Sequence, residues 1–220
     1  MNEKANEYSW FPLIVVACAS FIIVLDSFFM NVSISRIVVD LNTDVSTIQM
    51  IVSFCTLITA ALILFSTKLQ DIVGKKKLFV IGAALFGIGI FAAVLSSSVV
   101  MFFVGWSAIK GVAAALMLPA IVSIISGTYS GKKRTIALAT LGVMAGLADI
   151  LAPLLGGLIT TFFSWRYTFA FELIFILFIL VMQNKIPDFK PTESKSDLDI
   201  IGAILSGICL LLLVLGILTL

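Results

Sequence analysis

The sequence contains no histidine, and its three cysteines, Cys18, Cys55 and Cys209, are far apart inside apolar runs. No two of them have the spacing of a zinc site, a redox pair or a disulfide framework. Charged residues are also scarce, because they make up 12% of the 220 residues, about half the fraction of a typical soluble domain. The sequence shows no nucleophile–base set and no phosphate-binding loop. We therefore expect neither an enzyme nor a bound metal or cofactor, and no nucleic-acid partner.

Apolar residues make up 61% of the chain and occur in runs of about 20 residues, which is the length that crosses a bilayer as a helix. The runs predict an all-α membrane protein with seven spans, at 12–32, 46–66, 78–98, 101–125, 135–163, 167–186 and 200–220. We expect residues 1–186 to form a six-helix bundle and residues 187–199 to form a cytoplasmic linker before the seventh helix. The fifth run is longer than a bilayer requires, so it should tilt or kink.

The basic residues are distributed unevenly over the predicted loops. Eleven of them fall on one side, and only Arg36 and Arg166 fall on the other. Because basic loops stay in the cytoplasm, this distribution predicts a multi-pass protein of the cell membrane with a cytoplasmic N-terminus. The most basic of these predicted loops, residues 67–77, contains four lysines and one aspartate. Gly74 within it permits a tight, left-handed turn between two spans.

Four ionisable residues fall inside the predicted spans: Asp26, Lys110, Asp149 and Glu172. Each costs at least about 2.5–3.5 kcal/mol at a helix centre, so they should face the bundle interior, pair, or line a wet cavity. Counted from the ends of their spans, all but Glu172 lie near the middle of the bilayer, and Glu172 lies nearer the outer surface. We predict that Lys110 pairs with Asp26 or Asp149. Both a substrate or proton site and a structural ion pair fit this pattern.

Small residues form a stripe on the fifth span. Gly142, Gly146, Asp149, Pro153 and Gly156 recur every three or four residues and therefore share one helix face. Small residues let a neighbouring helix approach closely. Pro153 also lacks the N–H that would bond to the carbonyl of Asp149, so the helix can kink there. The stripe predicts either ordinary close packing or a packing hinge that moves.

Five motifs occur along the chain in an order that is typical of one membrane protein family. They are the basic segment with Leu69, Asp71, Gly74, Lys75 and Lys76; Leu25-Asp26 with Asn31-Val32; the run Ala152-Pro153-Leu154-Leu155-Gly156-Gly157; Trp165-Arg166-Tyr167 with Phe169; and Asp199-Ile200-Ile201-Gly202. Together they resemble motifs of the major facilitator superfamily, specifically its fourteen-helix drug:proton antiporter branch. The matches cover nearly the whole chain, and their order and spacing carry the resemblance.

The resemblance implies export of hydrophobic, cationic drugs or toxic compounds by proton antiport. Asp26 would then bind the cationic substrate or the proton, Asp149 and Glu172 would add negative charge, and Lys110 would keep one acid ionised. The positions of the basic segment that match the family motif, among them Asp71, Gly74, Lys75 and Lys76, would form a cytoplasmic gate. The stripe of the fifth span together with Gly157 would form a helix-packing hinge.

The chain departs from the family pattern at three points. Ser107 stands where the family has an arginine linked with proton coupling, and Glu172 stands where asparagine is usual. The family also folds as two six-helix halves, of which this chain supplies the N-terminal one and one further helix. We therefore expect a second half-transporter or a second copy as partner, besides small hydrophobic substrates, protons and the bilayer. The alternatives are a transport-inactive truncated or regulatory membrane protein, and a carrier of another small solute such as an anion.

Overall fold

The computed structural model describes residues 9–189, and this part of the chain is helical almost throughout. Within it, six helices are long and apolar enough to cross a membrane. They are α1 (Phe11–Asp40), α2 (Val45–Val73), α3 (Lys75–Val94), α4 (Val99–Thr128), α5 (Gly131–Phe162) and α6 (Trp165–Met182), which is followed by a short 3-10 turn, Gln183–Lys185. The predicted all-α membrane fold is confirmed. Backbone polar groups inside lipid must form hydrogen bonds within the protein, and helices provide these bonds. Most of the predicted linker and the whole seventh span lie outside the described residues, at 190–220.

Three of these helices begin with a side chain that accepts a hydrogen bond from the first turn. At α2, the Asp44 carboxylate accepts one from the backbone N–H of Thr47 at 2.8 Å, which satisfies a donor without an intrahelical partner. The Thr47 backbone N–H, and after it the Thr47 hydroxyl, hold the pKa of the exposed Asp44 carboxyl below its ordinary value. Because its pKa is lowered on folding, Asp44 stabilises the fold above the unfolded-state pKa. This contribution is lost as the pH falls through the lowered value. Ser98 and Ser164 cap α4 and α6.

The helix ends differ from the predicted ones at two places. α1 continues to Asp40, beyond the predicted end at residue 32, since Ser33 and Ile37 remain buried on its inner face. The predicted loop at 67–77 is wrong, because α2 ends at Val73 and α3 begins at Lys75. The predicted tight turn at Gly74 is confirmed. Its φ of 102° reverses the chain within one residue, in a region that side chains with a Cβ rarely adopt.

The bundle is packed around α1 and α4, which are its most buried helices. α1 lies against α5 and α6, α3 lies against α4 and α6, and α2 lies mainly against α4. α3 approaches α4 closely at two glycines: a Cβ placed on Gly105 would lie 2.9 Å from the carbonyl oxygen of Gly89. Glycines at both positions therefore bring the two backbones together, as small residues do between membrane helices.

One segment of α4, Phe103–Ile109, is π-helical. A π-helical turn changes the direction in which the side chains around it project, and such turns are frequent at functional sites. The segment contains Trp106 and ends immediately before Lys110. Both of these side chains point toward α1.

At the predicted outer end of the bundle, Arg166 at the start of α6 connects α6 with the end of α1 and with the residues that follow α3. Its guanidinium forms an ion pair with Asp40 at the end of α1, and its Nη2 donates a hydrogen bond to the carbonyl oxygen of Ser96 at 2.7 Å. The indole Nε1 of Trp165 donates to the same Asp40 carboxylate at 3.1 Å. These contacts fix the height of α6 relative to α1 and α3, and so they fix where the side chains of α6 enter the interior.

Candidate functional site

The centre of the bundle contains a buried ion pair between Lys110 on α4 and Asp26 on α1. Lys110 Nζ binds Asp26 Oδ2, and the indole Nε1 of Trp106 donates a hydrogen bond to Asp26 Oδ1 at 3.0 Å. Asp26 is 1% exposed and Lys110 is 4% exposed, so the pair lies in the interior. Each carboxylate oxygen thus has its own donor, which a buried charge requires. The prediction that Lys110 pairs with one of the two acids is confirmed, and the acid is Asp26.

Aromatic rings complete the surroundings of the Lys110 ammonium. Its Nζ lies 3.5 Å from the ring centroid of Trp106 and 5.9 Å from that of Phe86. The faces of both rings attract a cation, so they add to the attraction of the carboxylate. Trp106 in turn stacks on Phe102, one helical turn earlier. Trp106 was not predicted from the sequence, although its position four residues before Lys110 is the signal that it shares a helix face with the lysine.

Glu172 of α6 is the third ionisable residue of this interior. Its side chain is fully buried, and neither carboxylate oxygen has a hydrogen-bond partner among residues 9–189. It is near enough to Asp26 and Lys110 to interact with both electrostatically. The structure therefore brings Glu172 into the cluster, whereas its predicted position nearer the outer surface had set it apart. We call Asp26, Trp106, Lys110 and Glu172 the central cluster.

Asp149 lies outside the central cluster, so its predicted place beside Asp26 and Lys110 is wrong. The inner face of α5 consists of small residues such as Ala148 and Ala152, and Asp149 is exposed. Its central depth in the membrane stays a prediction. Depth along a span does not determine the direction of a side chain around the helix axis, because neighbouring residues on a helix point about 100° apart. Its part in binding stays a prediction.

The small-residue stripe of α5 also faces away from the described bundle. A Cβ added at Gly142, Gly146 or Gly157 would meet no atom of residues 9–189 within 4 Å, and Pro153 is exposed. Only Gly156 packs closely, with a Cβ position 3.1 Å from Phe29 of α1. Within the described bundle the stripe packs closely at Gly156, and for its other positions close packing stays a prediction. The helix continues through Pro153 without interruption.

The residues predicted to form a gate lie where α2 meets α3. Lys76 Nζ forms an ion pair with Asp188 Oδ1 at 3.0 Å, and Lys75 Nζ lies 5.5 Å from the ring centroid of Phe189. The segment that follows α6 is thus attached to the start of α3. Asp71 lies one turn earlier in α2 and is partly buried. Whether these residues act as a gate remains a prediction.

A cavity of about 270 Å³ lies beside the ion pair, between α1, α2, α3 and α4. Its lining includes Asp26, Ser27, Cys55, Thr59, Phe86 and Lys110, whereas Glu172 does not line it. Thr59 donates a hydrogen bond to the carbonyl oxygen of Gly111 at 3.1 Å, which ties α2 to α4 at the cavity. A mostly apolar concavity with a few convergent polar groups is typical of sites for small molecules.

The profile of the Major Facilitator Superfamily matches residues 16–197. The chain belongs to this superfamily. Its similarity to drug-resistance exporters of the superfamily shows that it corresponds to their N-terminal half. Its six apolar helices agree with a multi-pass membrane protein.

Curated relatives are transporters of several kinds of solute. The chain is 31% identical to the cephamycin export protein CmcT of Amycolatopsis lactamdurans, over 93% of this chain and 43% of that protein. It is 31% identical to the quinolone resistance protein NorB of Staphylococcus aureus, over 78% and 37%. It is 26% identical to the riboflavin transporter RibZ of Clostridioides difficile, over 94% and 45%. The chain therefore spans less than half the length of these relatives.

Solved structures show the same fold. A peptide transporter POT in complex with alafosfalin superposes with a TM-score of 0.74 at 17% identity, over 92% of this chain and 45% of that one. A POT family transporter in complex with 5-aminolevulinic acid gives 0.70 at 18% identity, over 94% and 46%. At such identities the likeness concerns the arrangement of helices alone.

Proposed function

We propose that this chain forms one half of an exporter that moves hydrophobic, cationic compounds across the cell membrane by proton antiport. The observation that carries the proposal is the buried carboxylate of Asp26, which lies at the cavity wall and binds Lys110. Ionisable residues inside a membrane are costly, and those that persist mark substrate or proton pathways. The names of two relatives, a cephamycin export protein and a quinolone resistance protein, agree with export.

The cavity suits one wall of a larger site. Its volume of about 270 Å³ lies just below the range of about 300–1,000 Å³ that is usual for small-molecule pockets. Its apolar and aromatic lining would bind the hydrophobic part of a substrate, and Asp26 would bind the positive charge. An arriving cation takes over the role of Lys110, because a buried carboxylate needs one positive partner.

The exposed faces of α5 and α2 support a partner for this half. Asp149 is exposed, eighteen residues after Gly131 and thirteen before Phe162, which is near the middle of the membrane. A carboxylate facing lipid at this depth would cost at least about 2.5–3.5 kcal/mol. Gln49 and Ser53 are polar residues near the start of α2, and Ser53, like Asp149, is exposed. We propose that a second half or a second copy of this chain packs beside these faces, and that the two enclose a wet cavity between them.

The uneven distribution of basic residues supports a cytoplasmic N-terminus in the cell membrane. Because the described helices alternate in direction, the Gly74 junction and the start of α5 at Lys132, Lys133 and Arg134 lie on the same side. These positions carry seven of the fourteen basic residues and would therefore remain in the cytoplasm. The Arg166–Asp40 ion pair would then lie at the outer surface.

A transport measurement tests the proposed function. Everted membrane vesicles from a host without its own drug exporters should take up ethidium when the chain is present and the lumen is made acidic. Asp26→Asn should abolish this uptake, because it removes the charge that the cation binds. Asp44→Asn, which keeps a capping side chain outside the spans, should leave it unchanged. Uptake no greater than in vesicles without the chain would contradict transport by this chain and favour the regulatory alternative.

Transport of another small solute, such as an anion, is the competing function, and one relative, RibZ, is a riboflavin transporter. In the described spans, Lys110 would have to bind the anion, but its ammonium already binds Asp26 and the face of Trp106. An anion would have to displace Asp26 from Lys110, whereas a cation would have to displace Lys110 from Asp26. Competition of an organic anion with ethidium in the same vesicles separates the two functions, because an anion that competes would support the competing one.

A further inference from the structure

Glu172 belongs to the central cluster but does not line the cavity. Asp26 and Lys110 line the cavity, and Glu172 interacts with both of them. A residue in this position senses the charge of the site without touching the substrate.

The surroundings of Glu172 favour the protonated form of its carboxyl group. The ammonium beside Glu172 is that of Lys110, and its charge is already matched by Asp26, which also accepts the Trp106 hydrogen bond. An ionised Glu172 would have neither a cation of its own nor a single hydrogen-bond donor among residues 9–189. Removing an ionised carboxylate from water without such partners is far more costly than removing a neutral one.

The other neighbours of Glu172 offer no alternative charge. α6 packs against α1, α3 and α5. α1 contributes Asp26, the stretch of α3 from Leu78 to Val94 contains no ionisable residue, and Asp149 of α5 is exposed. Phe29 of α1 and Phe169 of α6 add fully buried rings to this interior. Lys110 is therefore the group for which Asp26 and Glu172 compete.

We propose that Glu172 carries the coupled proton, while Asp26 binds the substrate. This inference rests on the proposed proton antiport and assigns its two ligands to different carboxylates. When the Glu172 O–H bond breaks, the proton leaves to water and the new carboxylate attracts Lys110 away from Asp26. Asp26 is then free to bind a cation in the cavity. When a proton returns to Glu172, Lys110 returns to Asp26 and displaces the cation.

Infrared spectroscopy of the full chain in lipid nanodiscs tests the assignment without substrate or gradient. The wild-type chain should show a C=O stretching band of a protonated carboxyl in an apolar environment, which disappears as the pH is raised. Glu172→Gln should lose this band, whereas Asp149→Asn and Asp44→Asn should keep it. A band that persists in the Glu172→Gln chain, or that disappears in Asp149→Asn, overturns the proposal.

A conservative variant keeps the test decisive if the glutamine chain folds poorly. Glu172→Asp retains a carboxyl at a changed position, so its band should remain but move in frequency and in titration midpoint. An unchanged band in this variant would assign the proton to another group. Because the measurement uses no transported compound, a chain that shows the band but no ethidium uptake refutes the proposed transport alone. Uptake with a band that is independent of Glu172 refutes only this inference.

Discussion

Lys110→Ala is expected to destabilise the chain by about 3–5 kcal/mol, because it leaves the buried Asp26 carboxylate without the cation that binds it. Unfolding of the purified chain in mixed micelles, followed by helical circular dichroism, measures the change. Lys77→Ala is the matched control, since Lys77 is exposed at the start of α3. Its effect should stay within about 0.5 kcal/mol, as is usual for surface substitutions.

A double-mutant cycle identifies the partner of Lys110. Adding Asp26→Asn to Lys110→Ala should recover part of the lost stability, because removing both sides of a buried pair costs less than removing one. The same cycle with Asp149→Asn should give a coupling energy near zero, since Asp149 is exposed on α5. Coupling to Asp149 instead of Asp26 would contradict the structure.

Gly105→Val should disrupt the bundle, whereas Gly142→Val should leave its stability nearly unchanged. A Cβ at Gly105 would lie 2.9 Å from both Gly89 O and Ala93 N, which are backbone atoms that cannot move aside separately from α3. Overpacking of this kind typically costs about 1–3 kcal/mol. The same unfolding measurement checks both variants, and the shared glycine-to-valine change in a helix makes them a matched pair.

Gly142→Val also tests the proposed contact with a second half. Since a Cβ there would meet no atom of the described bundle within 4 Å, any effect must arise from outside it. We expect this variant to fold normally but to lose ethidium transport and association between halves, which crosslinking detects. Equal loss of stability in the Gly105 and Gly142 variants would remove the distinction between the inner and outer faces.

The sequence predicted the number and order of the described helices because long apolar runs leave few alternatives in a membrane. It was less successful at helix ends. Residues 33–40 and 67–73 are more polar than the runs before them, yet both segments are helical. In α1 the helix continues because its inner face stays buried, and in α2 it continues up to the turn at Gly74. Hydropathy reports where a chain crosses lipid, and a helix often extends beyond that point.

The central cluster was predicted in part. Depth along the spans placed Asp26 and Lys110 together, and the structure confirms this pair. Depth alone also suggested Asp149 and passed over Glu172, because the direction of a side chain around its helix depends on how the helices pack. That packing depends on contacts far apart in the chain, such as the Gly89–Gly105 approach and the Arg166–Asp40 ion pair.

Cys55 lines the same cavity as the Asp26–Lys110 pair, so its reactivity directly tests whether that pair lies at the wall of a substrate site. In a chain with Cys18→Ser and Cys209→Ser, the rate at which a maleimide alkylates Cys55 is measured with and without ethidium at a saturating concentration. We expect ethidium to slow the reaction, and Asp26→Asn to remove this protection. An alkylation rate that saturating ethidium leaves unchanged in the chain with Asp26 intact would contradict this expectation.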